Sequence, residues 1–259
     1  ARKALEKRGI KILTEAKVAK VDKAANSITA HVETKDGKTQ TISADRLISA
    51  VGVQGNIENI GLEALGVKTD RGCVVIDEYG RTNVPGLYAI GDVAGGLQFT
   101  HVAGYHAGLV LRPLLFRLPA RANDGIIPWV TYTDPELAHV GLTEDAARER
   151  HGRISVLRWP YAENDRAQAE HRTEGLIKVV TGRKGRILGA TIAGAHAGEM
   201  INLWALALSK GMTVRDIAGY VPPYPTMSEI GKRAAVSYYS ASTRNPWVRR
   251  LIGFLRMFG

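Results

Sequence analysis

The chain holds 259 residues, 45% of them apolar and 23% charged, with one cysteine and a formal net charge of +10. That balance belongs to a globular protein with its own core; no apolar run reaches the ~20 residues of a membrane-spanning helix, and one cysteine excludes an internal disulfide. Six of the ten net charges fall in the last thirty residues (Lys232, Arg233, Arg244, Arg249, Arg250 and Arg256, with no acid among them), so the rest is too evenly charged for a general nucleic-acid surface.

The opening ARKALEKRGIKI has no methionine and no signal-peptide pattern, and it reads as the last turns of a helix closed by Gly9. The chain is therefore expected to be a piece of a longer protein. Residues 10–51 alternate apolar with polar side chains, which predicts strands, and Asp36-Gly37 is a hairpin turn signal. An apolar run over residues 47–51, stopped by Gly52, suits a buried strand. A strand is expected in GCVVIDEYG, with Cys73 as a buried packing residue or, as the alternative, a redox group. THVAGYHAGLVLRPLLF has the spacing of a largely buried helix.

PARANDGIIP, residues 119–128, is a boundary, with two prolines, a glycine and an Asn-Asp pair. Beyond it the pattern is α+β. Strands are predicted at WVTYTD, ISVLRWPY, GLIKVVTG and ILGATIAG, and helices at TEDAARERHG, AGEMINLWALALSKG and TMSEIGKRAAVSYYS. The tail NPWVRRLIGFLRMFG places Trp247, Leu251, Phe254, Leu255 and Phe258 at helical spacing among arginines. A basic amphipathic helix of this kind either makes weak contact with an anionic membrane or docks on its own protein or a sister subunit.

Two stretches carry chemistry. In residues 82–92 an apolar strand ends in Gly91-Asp92 and is followed by Ala94, Gly95 and Gly96. Small residues let a ligand approach the backbone, and a following helix aims its positive dipole end there. The carboxylate suits sugar or polyol hydroxyls rather than phosphate, although Gly-Asp after a strand is also a common structural feature. The second stretch is VPPYPTMSEIGK, residues 221–232, where Tyr224 precedes Glu229 by five positions. A phenol, with an ordinary pKa near ~10, is a poor base at neutral pH. Thr226 to Glu229 also has the T-x-x-E spacing of a capping box. The seven histidines show no metal-ligand spacing.

TNVPGLYAIGDVAG resembles the second flavin fingerprint of the FAD-dependent pyridine nucleotide–disulfide oxidoreductases, and WVTYTDPELAHVGLTEDAA and YPTMSE resemble landmarks of their C-terminal dimerisation domain. DRLISAVGVQGNIENIGLEALGVKTDRG resembles their link between NAD domain and flavin core. The resemblance implies an α/β and α+β protein: the end of a Rossmann-like NAD domain (residues 1–51), a flavin-core segment (52–118), an α+β dimerisation domain with an antiparallel sheet (119–240), and the basic tail (241–259). It implies FAD and NAD(P) as cofactors, a homodimer, and a disulfide or other small-molecule acceptor. The single cysteine fits a reducing compartment such as the cytoplasm, or is neutral on the point.

By the same resemblance Asp92, with Gly91, binds the ribityl chain of FAD, and the backbone of Gln98, Phe99, Thr100 and His101 faces the flavin ring. The His101 side chain alone reads as a capping or core histidine. Gly52 and Val18 match nicotinamide dinucleotide contacts, and Val18 reads equally well as core. Tyr224 and Glu229 match a His-Pro-Thr-x-x-Glu motif donated across the dimer, in which histidine takes a thiol proton and glutamate orients it. Tyrosine in the histidine's place argues against efficient dithiol oxidation. Up to about residue 95 the wording is most like dihydrolipoamide dehydrogenase; from FTHVAGYHAG onward it is more like the mercuric-reductase branch, as in a divergent member or a joined chain. The family's cysteine pair and Gly-rich loop are not among these residues, and a non-catalytic dimerising module is the alternative for the chain by itself.

Overall fold

A computed structural model of the chain describes residues 2–240 and 245–258. It divides into two compact units, Lys11–Ala122 and Ala1–Ile10 with Asn123–Gly259.

In the unit Lys11–Ala122, three strands form an antiparallel meander in the order β1 (Ala16–Lys23), β2 (Ile28–Thr34) and β3 (Thr39–Ala44). The turn at Asp36-Gly37 forms as its sequence demands: Gly37 takes φ +76, and the Thr34 and Gly37 amides are satisfied by the Lys38 and Thr34 carbonyls at 3.0 and 2.9 Å. Two-residue strands β4 (Thr69–Asp70) and β5 (Cys73–Val74) follow. Helix α2 (Thr100–Phe116) closes the unit.

Four expectations are corrected by the structure. Residues 47–51 form no strand, and Val51 is 95% exposed, because no described residue covers either face of the run. The strand expected before Gly91 is reduced to one antiparallel bridge, Arg81 to Tyr88, since the chain folds back on itself within a few residues. Helix α2 buries only Val102, and Leu114, Leu115 and Phe116 stay exposed. Cys73 is half-buried rather than buried.

The other unit opens with helix α1 (Arg2–Lys7), followed by Gly9 at φ +80. It is joined to residues beyond 123 by ion pairs of Arg8 with Asp134 and Lys7 with Glu174. Its sheet is antiparallel, in the order β6 (Trp129–Thr131), β7 (Glu136–Gly141), β10 (Ile187–Gly194), β9 (Leu176–Thr181) and β8 (Ser155–Pro160). Strand β7 was not expected; its burial on successive residues, Ala138, His139 and Val140, hides the alternation that signals a strand.

Helices cover both faces of this sheet, so β9 buries Val179 among one set of apolar side chains and Val180 among another. Helix α5 (Ala197–Ser209) packs on β7 and β10, and α7 (Glu229–Ser237) packs on β8 and β9. The two helices meet at Trp204 and Gly231. Ala147 of α3 (Glu144–His151) caps Val180 and Leu188 on the other side. Short helices α4 (Asp165–Ala169) and α6 (Val214–Gly219) complete the unit, and α8 (Pro246–Leu255) follows Asn245.

Candidate functional site

The Gly91-Asp92 motif lies at a backbone corner. Gly91 takes φ +69, and a Cβ built there would stand 2.9 Å from the Ala103 Cβ of α2, so only glycine fits. Its amide donates to Nδ1 of His106 at 3.3 Å. That partner is fifteen residues away and was not legible in the motif. Residues Gly91–Ala94 form a 3₁₀ turn, and the Asp92 carbonyl accepts from the Gly95 amide at 3.1 Å and from Gln98 Nε2 at 3.4 Å. With its main chain used internally, Asp92 presents an exposed carboxylate that no described residue pairs.

The start of α2 lies next to this corner in the chain. Phe99 gives it no side-chain cap, and helix starts concentrate donor N–H groups and the positive end of the dipole. Thr100 and His101 open the helix, with the His101 ring stacked on Phe99 at 5.2 Å between centroids. His101 is exposed, so it is not a core histidine. A carboxylate facing outward, a glycine corner and an uncapped helix start form a donor and acceptor set that fits the polyol chain and ring edge of a flavin.

Gly52 and Val18 lie in the same unit but are not joined to this corner by any described contact. Gly52 takes φ +134 with nothing within 4 Å of a built Cβ. Val18 is 52% exposed beside a bulge between Val18 and Lys20. Its core reading is therefore corrected: it is available as a surface contact.

Tyr224 and Glu229 lie in the other unit. Tyr224 is 70% exposed, and its hydroxyl donates to Asp165 Oδ2 at 2.9 Å. That carboxylate, first by accepting the bond and then by its charge, raises the phenol's pKa further. Tyr224 is thus a positioned hydroxyl, not a base near neutral pH. The neighbouring Asn164, buried at the start of α4, donates to the Thr226 carbonyl at 3.0 Å and accepts from the Ala167 amide at 2.9 Å. Two consecutive residues, Asn164 and Asp165, therefore fasten the loop that carries Tyr224. Both lie about sixty residues earlier in the chain, and neither was legible as a partner.

The capping box expected at Thr226 and Glu229 is not made. Thr226 Oγ1 donates to the Pro223 carbonyl at 2.7 Å and shares a hydrogen bond with Ser228, leaving Glu229 half-buried as the first residue of α7. The described capping box is at Thr213 and Asp216 of α6. Among the described residues no group of three metal-ligating side chains converges.

Known families match this architecture. Residues 1–107 match the pyridine nucleotide-disulphide oxidoreductase model, and residues 127–235 match the pyridine nucleotide-disulphide oxidoreductase, dimerisation domain. The chain belongs to the pyridine nucleotide-disulphide oxidoreductase family. Within it, the chain is similar to dihydrolipoyl dehydrogenase from Rhizobium etli, 52% identical over 242 residues, which is 92% of this chain and 50% of the relative. Dihydrolipoyl dehydrogenase from Bacillus subtilis is 39% identical over 234 residues, 89% of this chain and 49% of the relative. The Rhizobium alignment is long enough to cross residues 95–98.

Among solved structures, the flavoprotein disulfide reductase RclA from Escherichia coli superposes with a TM-score of 0.82 at 27% identity, over 91% of this chain and 54% of its own. LpdA from Mycobacterium tuberculosis superposes with a TM-score of 0.84 at 24% identity, over 91% of this chain and 51% of its own, which speaks to the fold alone. The chain spans about half the length of the curated relatives it matches.

Proposed function

We propose that this chain supplies the C-terminal flavin-core and dimerisation part of a dihydrolipoamide dehydrogenase-like enzyme, an FAD-dependent NAD(P)H oxidoreductase that passes electrons between nicotinamide, FAD and a disulfide or other small-molecule acceptor. The Gly91–Asp92 corner carries the reading. Its carboxylate is exposed, free of described partners, and follows a glycine whose positive φ and close approach to Ala103 fix the corner.

FAD, when bound, supplies two-electron acceptance and release. This chain's residues bind and orient. Asp92 accepts hydrogen bonds from the ribityl hydroxyls, and Gly91 lets the backbone turn against α2. The start of α2 at residues 98–101 aims its positive dipole end where negative charge accumulates on reduction, the Phe99 amide itself being spent on the Leu97 carbonyl at 3.2 Å. Gly52 and Val18 offer open backbone and exposed apolar surface to NAD(P). Tyr224 and Glu229 reach the partner subunit's site in a homodimer formed through the α+β unit. There the Tyr224 hydroxyl, fixed by Asp165, positions an acceptor without taking its proton. A mercuric-reductase-like acceptor is the runner-up, favoured by that same tyrosine. A reducing compartment, the cytoplasm, suits the unpaired Cys73.

The test is flavin content. In the full-length protein, Asp92→Ala should lower the ratio of flavin absorbance to protein absorbance well below wild type while the circular dichroism of the fold is kept. Equal flavin in both would remove Asp92 from the site.

The tail favours a second role, contact with an anionic membrane. In α8 and the residues after it, Trp247, Leu251, Phe254, Leu255 and Phe258 are all exposed, and Arg249, Arg250 and Arg256 stand among them without an acid. Arg250 also stacks over Trp247 at 5.5 Å. Such a helix lies in a headgroup layer. Arg244, counted with this tail in the sequence, lies outside the described residues. Deleting residues 245–258 should abolish flotation with vesicles containing phosphatidylserine, and unchanged flotation would sink the reading. No helix among the described residues is long and apolar enough to cross a membrane.

A further inference from the structure

We propose that a basic cleft in the α+β unit, between the end of α3 and the β9–β10 turn, binds a phosphorylated small molecule of the nucleotide type. The cleft has a volume of about 510 Å³, within the range of small-ligand sites. Its rim carries Arg150, His151, Arg153, Arg183 and Arg186. A neighbouring hollow of about 380 Å³ shares His151, Arg153 and Arg183 with it and adds Lys184. No aspartate or glutamate lines either one.

Two observations separate this cluster from an ordinary solvated basic surface. First, the basic residues just outside it are paired. Arg148, Arg158 and Lys178 share Glu144 at 2.9, 2.8 and 3.6 Å. None of the six at the cleft has an ion pair among the described residues. Surplus positive charge has therefore collected around the β9–β10 turn, where no carboxylate lines the cleft. The position of Arg150 and His151 in the last turn of α3 has a second explanation, since cations there complement the helix dipole. That explanation does not extend to Arg153, Arg183, Lys184 or Arg186.

Second, the backbone under the rim is fixed. Gly182 donates to the Arg186 carbonyl at 2.8 Å, and Arg186 forms a bridge with Thr213 that ties it to the start of α6. The turn therefore presents Arg183 and Arg186 from a closed loop rather than from a loose one.

The floor decides the ligand class. Leu142, Leu188 and Leu208 line it beside Gly141, Gly182 and Gly211. A bare phosphate would meet the arginines but leave an apolar floor unfilled. A nucleotide meets both, its phosphates taken by planar guanidinium groups that match two oxygens at once and its base laid on the leucines.

Calorimetric titration of the full-length protein with ADP and with inorganic pyrophosphate tests this. Both should bind, ADP the more tightly, with affinity falling as salt rises. The double variant Arg183→Ala/Arg186→Ala should weaken both by roughly tenfold or more, as expected for lost charge-assisted hydrogen bonds, whereas Arg183→Lys should weaken them less. ADP binding undiminished in the double variant would place the ligand elsewhere, for instance at a dinucleotide site, and overturn the proposal. So would the absence of binding to the wild type. Pyrophosphate binding as tightly as ADP would overturn the nucleotide assignment.

Discussion

At the scale of single residues, Tyr224 is the side chain on which the proposed reaction class turns. Its phenol is pushed upward in pKa by Asp165, so it stays protonated through neutral pH and donates rather than accepts. An imidazole in its place would titrate near ~6.5 and could take a thiol's proton. Tyr224→His in the full-length protein should therefore raise dithiol turnover, by up to the order of 10²-fold if proton transfer limits the rate. No gain in kcat would refute the role given to this position. The tyrosine itself was plain in the sequence. That its partner is Asp165, fastened beside Asn164, was not, because hydrogen-bond partners fifty-nine residues apart are set by how α4 and the loop pack.

At the scale of elements, local rules predicted presence better than ends. The Asp36-Gly37 hairpin and helices α2, α3, α5 and α7 stand where turn chemistry and apolar spacing put them. The capping boxes show the limit. T-x-x-E at Thr226 fits the rule as well as Thr213 with Asp216 does, yet the first is spent on the Pro223 carbonyl and the second is made on both sides. In α6, the Thr213 amide and hydroxyl approach Asp216 at 2.7 and 2.8 Å and hold its carboxyl below its ordinary pKa. Because the folded value is depressed, this contribution is present above the ordinary carboxylate range and is lost as pH falls through the folded value. Thr213→Ala should cost ~1 kcal/mol in urea unfolding at neutral pH. The difference from wild type should shrink in acid, and a difference independent of pH would count against the Asp216 coupling.

At the scale of the whole molecule, the two units differ in how much they bury. The α+β unit has a continuous core that includes Trp204, Tyr161, Ile177, Ile192, Ile201 and Ile230. The unit Lys11–Ala122 has a small cluster around Val67, Val74 and Ala89, and its three-stranded sheet buries only Val32. Backbone amides open more readily where few apolar contacts must be broken. Hydrogen exchange on this chain should therefore show slow amides in β7, β9 and β10 and faster ones in β1 to β3. Equal protection in the two sheets would contradict that ordering.

The sequence by itself determined the local features: the hairpin, the helix spacings, the Gly-Asp corner and the family they point to. Each of those rests on residues within a turn or two of one another, where steric and hydrogen-bonding preferences act directly. Tertiary structure decided the rest. It set aside a buried strand at residues 47–51, which no described residue covers, and exposed Val18. It gave Gly91 to His106 and Tyr224 to Asp165. It also gathered Arg150, Arg153, Arg183 and Arg186 around one cleft. Burial and pairing depend on which distant segments arrive at the same place, and one-dimensional spacing does not encode that arrival.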